Sequence, residues 1–162
     1  MRRSMLVVFG AAIVLALGGQ PARAAAPERI PIPPFHDIFK AGVVCPFSVA
    51  VDQLKINETL TVLSNGRVFL TGNSVQRITN LDTGNSVVLN VSGPFTLTTA
   101  GGVDTFTARG RNLWTFPAGA LGPGQPASLL LTTGLAIYTQ SATGITFSHT
   151  GGTTENLCET LR

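Results

Sequence analysis

The sequence is poor in lysine, histidine and tryptophan. Lys40 and Lys55 are its only lysines, His36 and His149 its only histidines, and Trp114 its single tryptophan. Nucleic-acid binding requires clustered lysine and arginine that displace counterions from phosphates. Because no such cluster occurs along the chain, the sequence excludes a nucleic-acid partner.

Cysteine is equally scarce, with Cys45 and Cys158 the only two. A tetrahedral zinc site needs four ligands, and neither Cys-x-x-Cys nor His-x-x-x-His spacing occurs. No glycine pattern sits between a strand and a helix to cradle phosphate. We therefore expect no metal ion and no cofactor.

Only the first residues contain a long apolar run. Arg2 and Arg3 precede 13 largely apolar residues, 5–17, and the small-residue motif Ala22-Arg23-Ala24 follows. This pattern predicts a signal peptide over 1–24, cleaved near Ala24, because the run falls short of the roughly 20 residues that span a bilayer. We expect a secreted, extracellular protein with no transmembrane segment after cleavage.

Removing this leader changes the charge balance of the chain. Without its three arginines, the eleven basic residues fall to eight and equal the eight acidic ones. The remaining chain is rich in threonine and glycine, which favour strands and the turns between them. An even pair of cysteines in an exported protein is read first as a disulfide, so we predict the bond Cys45–Cys158.

The region after the leader divides into two parts. Four prolines predict an extended arm or linker over 25–42, with a short helical turn near its end at Phe35–Phe39. A single β domain is predicted over 43–162, opening with a strand at Val43–Val51 that places Cys45 on its core side. The dipeptide Asn65-Gly66 predicts a hairpin with a type I′ turn between strands at Leu60–Leu63 and Val68–Thr71.

Further short strands follow, separated by turn signals. They are predicted at Val75–Thr79, Val87–Val91, Phe95–Thr99, Asp104–Ala108, Leu113–Phe116, Ser128–Thr133, Leu135–Thr139 and Ile145–Ser148. The repeated pentapeptide Thr-Gly-Asn-Ser-Val, at 71–75 and 83–87, predicts two similar turns that each enter a strand. Together these features predict an all-β fold: an antiparallel β-sandwich or, as the alternative, a small up-and-down β-barrel with a pocket lined by Phe47, Val49, Leu89 and Phe95.

Catalytic patterns are weak. The sequence has no nucleophile elbow, and both cysteines are expected to be oxidised. A secreted hydrolase would need carboxylates that converge in space, drawn from Asp52, Glu58, Asp82 and Asp104, or a partner for His149 in a cleft. Since no spacing singles out a pair, we expect that the protein is not an enzyme.

The segment 109–116 combines two arginines with the tryptophan and is the candidate ligand or partner surface, formed by Arg109, Arg111, Trp114 and Phe116. If both aromatic rings point outward, they form a stacking platform for a sugar or a peptide. If both lie on the buried face, they belong to the core. The scarcity of aromatic residues favours burial.

Several short motifs accompany the alanine-rich leader: Cys45-Pro46-Phe47-Ser48-Val49, the turn 80–84 and the closing Leu157-Cys158-Glu159-Thr160-Leu161. Together they resemble uncharacterised small secreted proteins of high-GC Gram-positive (actinobacterial) type. The resemblance implies no activity and no catalytic residues. The function expected from the residues is a non-catalytic binding or interaction module for a cell-envelope glycan, a peptide or a small apolar ligand, with an apolar-ligand carrier as the barrel alternative.

Overall fold

A computed structural model describes residues 26–162, which are almost entirely antiparallel β-structure. The predicted signal peptide, 1–24, lies outside these residues. The strands are β1 Glu28–Pro31, β2 His36–Phe39, β3 Val49–Val62, β4 Val68–Asn80, β5 Ser86–Asn90, β6 Phe95–Ala100, β7 Val103–Arg109, β8 Asn112–Phe116, β9 Ser128–Thr132, β10 Leu135–Ser141, β11 Gly144–Thr150 and β12 Thr154–Asn156; helix α1 spans Leu157–Thr160. The predicted all-β fold is confirmed.

The strands form two open sheets. The large sheet follows the order β1-β3-β4-β6-β7-β10-β11, with β2 added to β3 and β5 added to β4; the small sheet has the order β12-β9-β8. Because β1 and β11 end the large sheet without pairing to each other, the closed-barrel alternative is wrong. Of the residues proposed for its pocket, Phe47, Val49 and Leu89 are packed into a solid core, and Phe95 contacts Phe106 elsewhere.

The large sheet bends part-way along β3 and β4, its two longest strands. A bulge at Leu54 interrupts the register of β3 with β4, and a bulged strand bends. Nearby, Gly72 has φ +136°, and a side chain there would overlap the backbone of Asn57. We call the part with β2 and β5 the disulfide half, and the part with β1, β6, β7, β10 and β11 the aromatic half.

The small sheet lies between these halves. On one face, Leu129 and Leu131 join the core of the disulfide half. On the other face, Trp114 and Phe116 contact the ring of Phe147 and also that of Tyr138 on the aromatic half. Two separate layers of contacts therefore hold the small sheet.

The predicted disulfide Cys45–Cys158 is confirmed, but its surroundings differ from those expected. Cys45 lies in turns that precede β3, because Gly42 takes a positive φ of 84° and its N–H donates to the Cys45 carbonyl. The predicted strand at 43–51 therefore begins only at Val49. Cys158 lies in α1, a short helix that the sequence did not indicate and that the Asn156 side chain caps by accepting from the Cys158 N–H.

The arm does not contain the predicted helical turn. Residues 28–31 and 36–39 form β1 and β2, which both pair with β3 and so extend the large sheet. The prolines between them cannot supply helical N–H groups, whereas β3 offers an unpaired edge. The segment expected to be an arm thus lies along the domain.

The Asn65-Gly66 hairpin is present between β3 and β4, but its turn is not of type I′. Gly66 has φ +79°, whereas no non-glycine residue in the described range has a positive φ. The Gly66 N–H donates to the Leu63 carbonyl and the Leu63 N–H to that of Arg67, as in a type I turn followed by a glycine bulge.

The first copy of the repeated pentapeptide, 71–75, lies inside β4 and is not a turn. The two strands predicted on either side of it are therefore one long strand. The second copy does open with a turn, in which the Asn80 carbonyl accepts from the Gly84 N–H, and it leads into β5. Gly72, the glycine of the first copy, therefore does not mark a turn. It lies where β3 passes too close to leave room for a side chain.

The aromatic half presents two chemically different faces. Leu97, Phe106, Tyr138 and Phe147 lie directly opposite one another across four strands and face the small sheet. On the other face the matching row is Thr98, Thr105, Thr139 and Thr146. The alternation of threonine with apolar residues therefore fixes which face is turned inward.

Candidate functional site: a recess along the free edge of β8

The sequence-predicted surface, Arg109, Arg111, Trp114 and Phe116, does not form an outward aromatic platform. Phe116 is 2% exposed, and the half-buried Trp114 donates its indole N–H to the Thr132 hydroxyl at 2.9 Å. Both rings face the aromatic half, whereas both arginines are exposed beside the turn between β7 and β8. The interpretation that these rings belong to the core therefore holds for Phe116 and holds in part for Trp114.

The backbone of β8 offers an unpaired edge. Within residues 26–162, β8 pairs with β9 alone. Just before it, the Gly93 N–H donates to the Arg111 carbonyl at 2.8 Å. Because alternate residues of a strand direct their N–H and C=O groups to the same side, Leu113 and Thr115 direct theirs toward the side from which Gly93 approaches.

Three clefts meet at Leu113 along this edge, and we call them together the edge recess. The bend cleft, about 150 Å³, is lined by Glu58, Leu70, Ser74, Gln76, Val91, Gly93, Phe95, Asn112 and Leu113. The arm cleft, about 230 Å³, is lined by Phe35, Asp37, Phe39, Val51, Gln76, Leu113 and Thr115. The aromatic cleft, about 290 Å³, is lined by Phe106, Leu113, Trp114, Thr115, Phe116, Tyr138 and Gln140. Apolar walls thus flank the edge of β8 on both faces.

Gln76 has an unsatisfied polar atom in the recess. Its side chain is only 8% exposed and lines both the bend cleft and the arm cleft. Its amide nitrogen donates to the Ser74 hydroxyl at 3.3 Å, but its carbonyl oxygen has no hydrogen-bond partner. Leaving a buried acceptor unpaired costs about 1–3 kcal/mol, so this oxygen favours a ligand that carries a donor.

The charges around the recess are unevenly distributed. Glu58 lines the bend cleft, and burial raises the pKa of its carboxyl above the usual 4.5. Asp37 lines the arm cleft. Burial first, and then the neighbouring Asp104 carboxylate, raise the pKa of Tyr138, whose hydroxyl donates to Gln140 at 3.0 Å. Carboxylates therefore line the bend cleft and the arm cleft, whereas Asp104 lies opposite Gln140, a residue that lines the aromatic cleft. Arg111 directly precedes β8.

The four carboxylates named for the hydrolase alternative occupy separate positions. Asp52 and Glu58 are six residues apart on β3, a separation of about 20 Å along an extended strand. Asp82 lies in the turn after β4, and Asp104 lies on β7. Asp52 contacts the His36 ring on the neighbouring strand β2.

His149 is bonded to backbone and hydroxyl groups, and not to an acid. One ring nitrogen contacts the Thr133 carbonyl and the other lies 3.0 Å from the Thr154 hydroxyl. In the described part of the chain, no three side chains of metal-ligating type come together. The histidine therefore links the ends of β9, β11 and β12.

The central features of the recess could not be predicted from the sequence. The unpaired edge of β8 depends on strand order, which no local pattern specifies. Gln76 shares the inward face of β4 with Ile78, but the sequence does not show this, because Val75, the apolar residue before Gln76, lies on the opposite face. A polar residue at such a position marks either a buried hydrogen-bond network or a ligand contact.

No helix among residues 26–162 is both long and apolar enough to cross a membrane. No protein-family model, curated protein sequence or solved structure matches the chain.

Proposed function

We propose that the protein acts outside the cell as a non-catalytic interaction module that binds an extended polypeptide segment along the free edge of β8. The observation that carries this proposal is the unpaired edge at Leu113 and Thr115, which lies in a recess with apolar walls on both faces. A strand that adds to a sheet edge gains main-chain hydrogen bonds, and pockets for its alternate side chains give specificity.

The shape of the recess favours a polypeptide over the other ligands considered. A bound strand would place alternate side chains in the arm cleft and in the aromatic cleft, on opposite faces of the extended small sheet. Gln76 offers its free carbonyl to a donor on the first of these faces. A sugar ring would instead need an exposed aromatic face, and Trp114 and Phe116 are turned inward.

Two features support an extracellular location for this activity. The leader over 1–24 has the pattern of a cleaved signal peptide. The disulfide Cys45–Cys158 joins residues 113 positions apart, and such bonds persist in oxidising compartments. The recess would then meet polypeptides at the cell exterior.

A capped heptapeptide of alternating threonine and valine tests the proposal. We expect it to bind the exported protein, with its disulfide formed, at one site, and to change the fluorescence of the single tryptophan, Trp114. Two further peptides carry backbone N-methyl groups on the valines or on the threonines. Since alternate residues donate to the same edge, one of these must bind about tenfold more weakly or worse, whereas equal binding by all three contradicts strand addition.

Variants of Thr115 provide the matched test on the protein. Thr115 is exposed, so Thr115→Pro removes an outward N–H at a position where an edge strand tolerates proline. Thr115→Val retains the N–H and the strand propensity. We expect peptide binding to be lost in the proline variant and kept in the valine variant, with both remaining folded by circular dichroism. Retention of full affinity by Thr115→Pro would contradict the assignment of the edge.

A further inference from the structure

The bend cleft contains a carboxylate that has no cation partner. Glu58 is half-buried and lies on β3 directly opposite Gly72, a residue without a side chain. The ion pairs formed among residues 26–162 are His36–Asp52 and Glu159–Arg162, and Glu58 belongs to neither. Burial raises the pKa of Glu58, with no opposing effect from a neighbouring cation. An unpaired carboxylate in such a position favours a ligand with a positive charge.

The amide nitrogens that line the bend cleft are already bonded within the protein. The Ser74 hydroxyl accepts from Gln76 and also from Gln53, which lies directly opposite Gln76 on β3. The Asn112 side chain donates to the Arg109 carbonyl at 3.0 Å. What Gln76 still offers is its buried carbonyl oxygen. This oxygen and the free carboxylate therefore both require a hydrogen-bond donor from a ligand.

The rest of the cleft suits an aliphatic chain. Its apolar walls come from Leu70, Val91, Phe95 and Leu113. Its volume of about 150 Å³ has room for about five groups the size of a water molecule, which occupies about 30 Å³ in the liquid. A lysine side chain consists of four methylenes and one ammonium group. It can lay its methylenes along apolar surface while the ammonium reaches polar groups.

Gly93 determines which part of a bound segment reaches this cleft. Gly93 lines the bend cleft, and its N–H already occupies the Arg111 carbonyl. A side chain at Gly93 would overlap the carbonyls of Arg109 and Arg111, so its backbone lies tightly against the turn before β8. A segment paired with Leu113 and Thr115 must therefore end or turn away at Gly93. Its last paired residue lies beside the bend cleft whichever way the segment runs.

We propose that the bend cleft is a subsite for a lysine side chain, carried by the residue of the bound segment that lies next to Gly93. The ammonium group donates to the Glu58 carboxylate and to the Gln76 carbonyl oxygen, and the methylenes pack against the apolar walls. This inference rests on the proposed function and specifies one residue of the partner.

Three symmetric peptides test the subsite. Each is capped, contains alternating threonine and valine, and carries lysine, norleucine or Nε-acetyl-lysine at both ends, so that either direction presents the same residue to the cleft. Norleucine keeps the four-carbon stem and lacks the ammonium group, and acetyl-lysine keeps an N–H without the charge. We expect the lysine peptide to bind about tenfold more tightly than the norleucine peptide, the scale of a hydrogen bond between charged groups. Equal affinities for all three would mean that solvent satisfies both oxygens, and would overturn the inference.

Variants of the two oxygen-bearing residues assign the effect to the bend cleft. Glu58→Gln keeps the shape of the side chain and removes its charge, and Gln76→Met removes the free carbonyl oxygen; each should reduce the preference for lysine over norleucine. Glu28→Gln removes an exposed carboxylate from β1 and should leave the preference unchanged. Asp37→Asn should reduce it less than Glu58→Gln does. A preference that Asp37→Asn abolishes and Glu58→Gln leaves intact would place the ammonium in the arm cleft and refute the assignment.

The outcomes separate this inference from the proposed function. If the norleucine peptide binds and the lysine peptide binds no better, the interaction module stands and the lysine subsite does not. If neither these peptides nor the uncharged heptapeptide binds, the proposed function fails, and the inference fails with it. If Thr115→Pro binds the lysine peptide as tightly as the wild type does and the preference for lysine persists, the subsite stands without strand addition along β8.

Discussion

β9 and β8 are neighbours in one small sheet, yet they differ in burial. Four of the five residues of β9 are buried, against two of five in β8. Both strands are apolar, but β9 has a partner on each edge and β8 on only one. Strand pairing, and not hydrophobicity alone, therefore decides where apolar residues of this molecule remain open to solvent.

The same contrast extends to the surroundings of the two strands. Leu129 of β9 is completely buried in a core that includes Cys45, Cys158 and Ile78. Leu113 of β8 packs against the margin of that core and also lines all three clefts. The β9 side of the small sheet is thus closed by core packing and by the disulfide, whereas the β8 side is open along an unpaired strand edge. Such an edge can pair with another chain.

Removing the disulfide should cause the largest loss of stability, because this bond helps to close the β9 side of the small sheet. The bond encloses a loop spanning 113 positions, so replacing both cysteines with alanine is expected to lower the free energy of unfolding by about 4–5 kcal/mol. Denaturant titration measures this loss. If the variant is as stable as the wild type, the closure of this side does not depend on the covalent bond.

A pair of leucine variants compares the two strands directly. Leu129→Ala should lower the free energy of unfolding by about 3 kcal/mol because it leaves a cavity in a close-packed core. Leu113→Ala should lower it by about 1 kcal/mol, since the side chain is already half-exposed. Peptide affinity should change in the opposite order, falling most in Leu113→Ala. Equal stability losses would show that the edge is packed as firmly as the core.

Gly72 tests the bend that separates the two halves of the large sheet. Its φ of +136° and the closeness of Asn57 leave no room for a side chain, so Gly72→Ala is expected to cost about 2 kcal/mol. Gly101 also has a positive φ, +57°, but it faces open space in the turn between β6 and β7. Gly101→Ala is therefore the matched control and should cost less. If the two variants unfold alike, the close approach at the bend is not a constraint.

The sequence was sufficient for features that depend on local patterns. Short strand-forming segments separated by turn signals located β5 to β11, and the pair of cysteines located the disulfide. The Asn65-Gly66 dipeptide placed a hairpin correctly, although Gly66 alone takes the positive φ and the turn type differs.

Features that depend on distant contacts were not accessible from the sequence. Gly72 looked like a turn residue because a glycine in a strand and a glycine in a turn share the same local signal. The strands β1 and β2 form only because β3 offers them an edge. The free edge of β8 and the unpaired Gln76 oxygen likewise arise from strand order, which is why the candidate site emerged from the structure.

The smallest expected effect concerns the charge of Glu58 at the open side. Because burial raises its pKa above 4.5, the fold favours the neutral carboxyl, and this contribution to stability is full below pH 4.5 and lost as the pH rises through the raised pKa. Glu58→Gln should therefore be more stable than the wild type at pH 7, and the advantage should vanish below pH 4.5. Glu28→Gln, which removes an exposed carboxylate from β1, controls for net charge. A stability advantage of Glu58→Gln that is the same at both pH values would mean that packing of the amide, and not the desolvated charge at the start of β8, is responsible.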